Sequence, residues 1–257
     1  SGQVMYNAKN LGIDALVTIG GDGSMRIALD FAEKGMKLVG VPKTIDNDLC
    51  ATEVTFGFGT AVSTATDAID KLHTTAELHH RVMVVEVMGR DAGWIAIEAG
   101  VAGGAHIILI PEIPFTIQKV CDQVAMREKY GKRFTIVVVA EGIKLPPEMK
   151  HMTRAIPVGN MIGDAIMLLS HRDVRVSVLG HIQRGGSPTP YDRVLATRFG
   201  VAAVDLIARG EFGKMVRLHN GCITSADISE AIGKMKAVDP NGELVRTARA
   251  IGISFGD

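Results

Sequence analysis

The sequence predicts an α/β protein with mainly parallel sheets, and three observations support this prediction. Short apolar runs rich in Val and Ile, which are typical of buried strands, recur along the chain, and helical patterns separate them. Strands that alternate with helices pair in parallel, because each helix returns the chain to the start of the next strand. Several runs end in a cluster of glycines and charged side chains. These runs are residues 15–19, 37–41, 82–87, 134–139 and 174–179.

The remaining elements follow from periodicity. The clearest helix is predicted over residues 58–72, where apolar side chains recur at the i, i+3, i+4, i+7 spacing. Further helices are predicted at residues 24–34, 92–101, 117–130, 158–170, 191–209 and 229–236. Further strands are predicted at residues 107–110 and 214–218, with a turn at Asn220 and Gly221 and a surface loop over residues 144–153.

Composition excludes some partners. The 257 residues carry 28 acidic and 28 basic side chains, so no net field attracts nucleic acid or an anionic membrane. Cys50, Cys121 and Cys222 lack metal-ligand spacing and are expected to be free thiols in a reducing cytosol. No apolar stretch approaches the roughly 20 residues that a membrane helix needs. We therefore expect a cytoplasmic protein without membrane or nucleic-acid partners.

The segment Gly20-Gly21-Asp22-Gly23-Ser24 forms a predicted strand-to-helix turn. Glycines there expose backbone N–H groups to a phosphate, and the start of the following helix favours negative charge. Asp22 is a candidate ligand for magnesium, which takes one or two carboxylates. Alternatively, Ser24 is an ordinary N-cap and the glycines serve only the tight turn.

The segment Thr44-Ile45-Asp46-Asn47-Asp48 follows the second strand. Two carboxylates two residues apart repel each other, which is useful if they share a cation or if one is a general base. The alternative is a solvated turn, since Asp and Asn favour turns.

Basic residues accompany the later strands. Arg90 follows Gly89 at the end of one strand, Arg81 precedes that strand, and Arg175, His181 and Arg184 lie within ten residues of each other. Such a group suits a phosphate dianion, whereas any single arginine of it could equally form a surface ion pair. Because ligands bind at the carboxyl ends of parallel strands, we expect the clusters to meet in one crevice. Glu141, after another strand, is predicted to accept hydrogen bonds from sugar hydroxyls or to pair with a lysine.

Together these segments resemble the phosphofructokinases. The resemblance is strong at residues 19–24, 44–48, 84–90 and 179–192, and it extends from about Leu11 to Met235. It implies two Rossmann-like three-layer lobes with the active site in the crevice between them. The donor lobe would comprise residues 1–57 and 182–232, and the fructose 6-phosphate lobe residues 58–181 and 233–257. The family's first strand and its glycine-rich donor loop would precede Ser1, so the chain is expected to be N-terminally incomplete.

The resemblance also implies an activity: transfer of a phosphoryl group from ATP to the 1-hydroxyl of fructose 6-phosphate, assisted by Mg²⁺. Asp46 would be the base, Arg90 would stabilise the transferred charge, and Asp22 would face the metal. The donor's phosphates would contact Gly21, Asp22, Gly23 and Ser24. The sugar would contact Thr44, Ile45, Asp46, Met88, Gly89, Arg90 and Glu141. The 6-phosphate would bind Arg81, Arg175, His181 and Arg184, with Arg81 and Arg175 reaching the site of a neighbouring subunit in a homodimer or homotetramer.

Two positions bear on whether the phosphoryl donor is ATP or pyrophosphate. Pyrophosphate-dependent members tend to carry Asp at the position of Gly23 and Lys at the position of Lys43, whereas ATP-dependent members carry Gly at both. Gly23 leaves room for the α-phosphate of ATP, so ATP is predicted and pyrophosphate is the alternative. Lipid and NAD kinases are another alternative, but of the segments named above they share only the Gly-Gly-Asp-Gly turn with this chain. A further alternative is a sugar-phosphate-binding or regulatory subunit without catalysis.

Overall fold

The computed structural model describes residues 2–149 and 156–257. Two compact units divide the chain: Ser1–Gly59 with Pro188–Lys236, and Thr60–Ser187 with Ala237–Asp257. Each unit has its own sheet in which most neighbouring strands are parallel, which confirms the predicted α/β class. Part of the predicted loop 144–153, from residue 150 onwards, lies outside the described residues.

The strands and helices alternate along most of the chain. The strands are β1 (Leu16–Gly20), β2 (Leu38–Thr44), β3 (Phe56–Gly57), β4 (Val82–Val87), β5 (Ile107–Leu109), β6 (Thr135–Ala140), β7 (Val174–Val178), β8 (Lys214–His219) and β9 (Cys222–Asp227). The helices are α1 (Gly2–Asn10), α2 (Asp22–Glu33), α3 (Phe58–His79), α4 (Trp94–Ala102), α5 (Ile117–Lys129), α6 (Val158–Ser170), α7 (Pro190–Ala208), α8 (Ile228–Ile232) and α9 (Glu243–Ala250). Short 3₁₀ helices cover Pro147–Met149 and Gly180–Arg184.

The sheet of the first unit has the strand order β1-β2-β8-β9, with β3 added beside β2. All its pairs are parallel except the β8–β9 hairpin. Apolar side chains cover both faces of the sheet. One face packs against α7 through Val39, Val41, Leu195, Phe199 and Val216, and the other forms a core of Met25, Leu38, Met215 and Ile228 with α2 and α8.

Strand β1 is less buried than the sequence predicts. Val17 and Ile19 are exposed, although they pair in register with the buried Val39 and Val41. Helix α7 packs on β2, β3, β8 and β9, so the α7 face of β1 is left uncovered within the described residues. The prediction of a strand at this position is confirmed, but the prediction that it is buried is wrong.

The sheet of the second unit is entirely parallel, with the order β5-β6-β4-β7. Strands β4 and β6 are buried along their whole length, because helices cover the central strands of such a sheet. Helix α6 lies close to β7, since a Cβ at Gly163 would approach Val176 Cγ2 to 2.5 Å. This central position explains why β4 and β6 are almost entirely apolar in sequence.

Two boundaries differ from the prediction. Helix α8 ends at Ile232 rather than at residue 236, because the N–H of Lys236 bonds to the carbonyl oxygen of Asp48 at 2.9 Å instead of continuing the helix. The Gly180–Arg184 turn lies in the second unit, whereas the predicted lobe boundary places most of it in the donor lobe. Within the described residues, no helix is both long and apolar enough to cross a membrane.

Candidate active site

The glycine-rich turn joins β1 directly to α2. Gly21 is the N-cap of α2 in an extended conformation and provides no side-chain cap, so the alternative of Ser24 as N-cap is wrong. A Cβ at Gly23 would meet no atom within 4 Å. The first N–H groups of a helix lack intrahelical partners, and here they lie beside bare glycine backbone. This geometry suits the approach of a phosphate group.

The loop after β2 holds Asp46 in a fixed orientation. The N–H of Asp46 donates to Thr44 Oγ1 at 3.1 Å, and the Thr44 hydroxyl donates to Asp46 Oδ2 at 3.2 Å. Asn47 has a left-handed φ of 53°, and its Oδ1 accepts from the N–H of Thr55 at 3.2 Å. Asp46 is only 8% exposed and Asn47 is buried, so this segment is not a solvated turn.

The two loops lie at the same edge of the first sheet. Strands β1 and β2 are parallel and in register from Leu16 with Leu38 to Gly20 with Pro42. A Cβ at Gly21 would come within 3.3 Å of Thr44 Cβ, a tight contact, so the two loops approach each other closely. The structure therefore brings the glycine-rich turn and the Asp46 loop together; Lys43, near the end of β2, is exposed, and Ile45, in the Asp46 loop, is half-buried.

Asp22 has a partner within its own helix. Its Oδ2 accepts from Arg26 Nε at 2.9 Å, and this contact raises the pKa of Arg26 through the hydrogen bond and the negative charge. The described residues contain no cluster of three or more His, Cys, Asp or Glu side chains that could hold a metal alone. A metal here would need other ligands, such as the phosphates of a bound nucleotide.

The loop after β4 has an unusual backbone. Gly89 has φ 142° and Arg90 has φ 51°, and the N–H groups of both donate to Glu141 Oε1, at 3.2 and 2.9 Å. A Cβ at residue 142 would lie 1.8 Å from the carbonyl oxygen of Arg90, so only glycine fits there. One oxygen of Glu141 thus fixes the loop, a role that the sequence analysis did not identify.

The Gly180–Arg184 turn is attached to the same loop. The N–H of Met88 donates to Gln183 Oε1 at 2.7 Å, and Gln183 is only 1% exposed. His181 and Arg184, on the same turn, are exposed. The structure therefore brings together Met88, Gly89, Arg90, Glu141, His181 and Arg184 at the carboxyl edge of the second sheet.

Arg81 and Arg175 lie at the opposite edge. Arg81 immediately precedes β4, and Arg175 is the second residue of the parallel strand β7. Asp173 joins them, since its carboxylate pairs with Arg81 Nε at 2.5 Å and with Arg175 Nη1 at 2.7 Å. Within one chain, these arginines are therefore separated from His181 and Arg184 by the length of β4.

A cavity of about 450 Å³ lies at the carboxyl edge of the second sheet. It is lined by Arg90, Glu141 and Glu86, together with the start of α6. Sequence reasoning missed Glu86, although it is the single charged residue in the apolar run 82–87. Burial raises the pKa of Glu86, a hydrogen bond from Gly159 opposes this effect, and the charge of Glu141 adds to it.

These features define an α/β protein whose candidate residues lie at the carboxyl ends of parallel strands, where such proteins bind ligands. The family model described as Phosphofructokinase matches residues 1–207, which is most of the chain. The chain belongs to the phosphofructokinase family.

Relatives and solved structures agree with this membership. The chain is 52% identical over 262 residues to ATP-dependent 6-phosphofructokinase 2 of Clostridium perfringens, covering 98% of this chain and 72% of the relative. It is 53% identical over 253 residues to ATP-dependent 6-phosphofructokinase of Chloroflexus aggregans, covering 97% and 71%. The solved phosphofructokinase of Saccharomyces cerevisiae is 31% identical with a TM-score of 0.74, covering 88% of this chain and 33% of the yeast chain.

A pyrophosphate-dependent phosphofructokinase from Nitrosospira multiformis also has the same fold. It gives a TM-score of 0.81 over 97% of this chain and 70% of its own, at 24% identity. Identity this low supports the fold and leaves the phosphoryl donor open. The names of the relatives at 52% and 53% identity therefore bear more strongly on the donor.

Proposed function

We propose that the protein transfers the terminal phosphoryl group of ATP to the 1-hydroxyl of fructose 6-phosphate. The observation that carries this proposal is the buried Asp46, held by Thr44 beside the bare Gly21–Asp22 backbone. A carboxylate that accepts a hydroxyl proton and a glycine-rich turn that receives phosphates are the two parts that phosphoryl transfer requires. The relatives named ATP-dependent 6-phosphofructokinase support the same activity.

Each group has a defined task in this proposal. Asp46 takes the proton from the attacking hydroxyl, and Arg90 stabilises the charge on the transferred group. Thr44, Ile45, Met88, Gly89 and Glu141 position the sugar, while His181 and Arg184 bind its 6-phosphate. Such positioning and charge stabilisation carry most of the rate enhancement in phosphoryl transfer.

Asp22 fits a role toward a divalent cation. It is a single carboxylate at the start of α2, and one of its oxygens is engaged by Arg26. Magnesium often takes one or two protein carboxylates together with substrate phosphates and water, which matches this donor set. When bound, Mg²⁺ would neutralise charge on the donor phosphates. Gly21, Gly23 and Ser24 would bind the donor's phosphates through the start of α2.

ATP is favoured over pyrophosphate because the space beside Gly23 is open. The exposed Lys43 keeps pyrophosphate as the second candidate donor. We include in the proposal a cytoplasmic location and a homo-oligomer in which Arg81 and Arg175 complete a neighbour's 6-phosphate site.

The test is a donor-specificity assay on the purified protein with fructose 6-phosphate and Mg²⁺. We expect a higher kcat/KM with ATP than with pyrophosphate, and loss of turnover in Asp46→Ser with fructose 6-phosphate binding retained. A preference for pyrophosphate would refute ATP as the donor, and full turnover in Asp46→Ser would refute Asp46 as the base. Lack of product with either donor would refute the proposal that the protein catalyses this phosphoryl transfer.

A further inference from the structure

Glu86 is a buried carboxylate on an otherwise apolar strand. It is 8% exposed near the carboxyl end of β4, and its Oε2 accepts from the N–H of Gly159 at 2.6 Å. Burial of an ionisable group is unfavourable unless a hydrogen bond or charge compensates. The hydrogen bond from Gly159 therefore compensates for the burial of this carboxylate.

Gly159 is the second residue of α6, and this helix lacks a cap of its own. Its N-cap is Pro157, which makes no side-chain cap hydrogen bond. Glu86 supplies the missing acceptor from a different element, and its negative charge is favourable at a helix N-terminus. A Cβ at residue 159 would lie 2.9 Å from Glu86 Cβ and 3.0 Å from its Oε2, so glycine permits this close approach.

The same carboxylate borders the cavity that contains Arg90 and Glu141. Pro157, Val158 and Met161, from the start of α6, form another part of the wall. Any shift of the helix start relative to β4 would therefore change the space beside Arg90 and Glu141. This coupling distinguishes Glu86 from a residue that only stabilises a helix.

We propose that Glu86 is a positioning residue for the sugar phosphate. By holding the N-terminus of α6 against β4, it sets the shape of the cavity in which Arg90 and Glu141 receive the sugar. This inference rests on the proposed function, and it concerns binding of the acceptor substrate rather than of ATP.

The second unit offers a matched control in Glu112. Its Oε1 accepts from the N–H groups of Gly93, the N-cap of α4, and of Val238, both at 2.9 Å. Like Glu86, Glu112 thus uses its carboxylate to hold the start of a helix in the same unit. It differs in that it does not line the cavity.

The experiment compares Glu86→Leu, Glu86→Gln and Glu112→Leu with the wild-type protein. Steady-state kinetics give kcat and the KM values for fructose 6-phosphate and ATP, and thermal unfolding monitors stability. We expect Glu86→Leu to raise the KM for fructose 6-phosphate about tenfold, with kcat and the KM for ATP within about twofold. Glu86→Gln keeps an acceptor oxygen for Gly159 and should recover most of this loss.

Glu112→Leu should lower thermal stability without changing either KM. An unchanged KM in Glu86→Leu, or an equal rise in Glu112→Leu, would leave Glu86 with a structural role only. If Glu86→Leu does not fold, Gly159→Ala provides the test. Its methyl group displaces α6 from β4 while the carboxylate of Glu86 remains. An unchanged KM for fructose 6-phosphate in Gly159→Ala would overturn the inference. A wild-type protein that does not phosphorylate fructose 6-phosphate overturns the proposed function and this inference together.

Discussion

Arg90 adopts a backbone conformation that few residues other than glycine tolerate. Its φ is 51°, in the left-handed region, where strain is expected for a long side chain. Glu141 compensates by accepting from the N–H groups of Gly89 and Arg90, and Gly142 makes room for the carbonyl oxygen of Arg90. The direction of the Arg90 side chain therefore depends on two neighbours from the end of β6.

Gly142→Ala tests this dependence. The new methyl group would lie 1.8 Å from the carbonyl oxygen of Arg90, so the loop must move. Because a misplacement of about 1 Å can reduce catalysis on the order of a hundredfold, we expect a fall in kcat of that size. Gly233→Ala is the control, since its Cβ would meet Ser229 O at 3.7 Å, an ordinary contact. Wild-type kcat in Gly142→Ala would contradict this account of Arg90.

Gly23→Asp tests the choice of donor. The position has open space around it, and a carboxylate there would crowd and repel the α-phosphate of ATP. We expect kcat/KM for ATP to fall at least about tenfold, while the KM for fructose 6-phosphate changes little. Gly200→Asp, also in open space but on α7, should leave both parameters near their wild-type values. Undiminished use of ATP by Gly23→Asp would show that the steric account is wrong.

At the residue scale, sequence motifs predicted candidate site residues but not the contacts that these residues make. Asp46 and Glu141 stand out in the sequence because charged residues end apolar strands. The hydrogen bonds of Glu141 to the backbone of residues 89 and 90 are set by the β4–β6 pairing, which no local pattern encodes. Gln183 lies within the segment 179–192 that carries the family resemblance, yet the hydrogen bond that it accepts from the N–H of Met88 joins residues 95 positions apart.

At the element scale, His106 connects the start of β5 to β6. Its Nδ1 accepts from the N–H of Ile136 at 2.9 Å, and its ring packs edge-on against Phe134 and His73. Burial, followed by the charges of Arg127, His73 and Lys132, lowers the pKa of His106 from 6.5 to about 3. The folded protein therefore holds this imidazole neutral over a range in which the unfolded chain protonates it.

This difference predicts a loss of stability in acid. Since the folded-state pKa lies below the unfolded value, the free energy of unfolding falls as the pH drops from 6.5 toward about 3. Between about pH 7.5 and about pH 5.5, the wild type should lose about 1 kcal/mol more than His106→Asn, whose amide oxygen also accepts from Ile136 but does not titrate. Chemical denaturation at both pH values measures the difference. Equal losses in the two proteins would contradict it.

Helices and strands with a regular period or a long apolar run were predictable from the sequence. Elements whose position depends on tertiary contacts were not. The predicted bounds of β4 and α6 agree with the structure, because an apolar run interrupted only by Glu86 defines the strand and a regular helical period defines the helix. Helix α9 spans only eight residues, with Val245 and Ala248 buried, and the sequence prediction missed it because so short an amphipathic pattern is hard to distinguish from a loop. Strand β9 alternates polar and apolar residues only weakly, so its pairing with β8 depends on the hairpin turn.

At the scale of the whole molecule, the position of Arg81 and Arg175 supports a shared site. They lie at the amino edge of the second sheet, whereas His181 and Arg184 follow its carboxyl edge. If a neighbouring subunit supplies the two arginines, variants that damage different parts of the site should complement each other.

Hybrid oligomers of Asp46→Ser and Arg175→Ala test this assembly. Each variant alone should have little activity at low fructose 6-phosphate. Dissociating and reassembling a mixture should restore activity, because some sites then combine an intact Asp46 with an intact Arg175. A mixture of Asp46→Ser with Asp46→Asn is the control and should gain nothing. Absence of recovery in hybrids verified by native mass spectrometry would contradict the shared site, because within one chain Arg81 and Arg175 lie too far from His181 and Arg184 to bind the same phosphate.

Asp173 gives Arg81 and Arg175 a resident counterion. Its two carboxylate oxygens pair with both guanidinium groups, so one of their two positive charges is neutralised within the chain. An anion that bound both arginines would meet one net positive charge and would compete with this carboxylate for their N–H groups. A phosphate dianion carries more charge than a carboxylate and can make the exchange, whereas chloride or a singly charged acid gains little. If Arg81 and Arg175 bind a 6-phosphate as proposed, this arrangement should therefore favour a dianion over a monoanion.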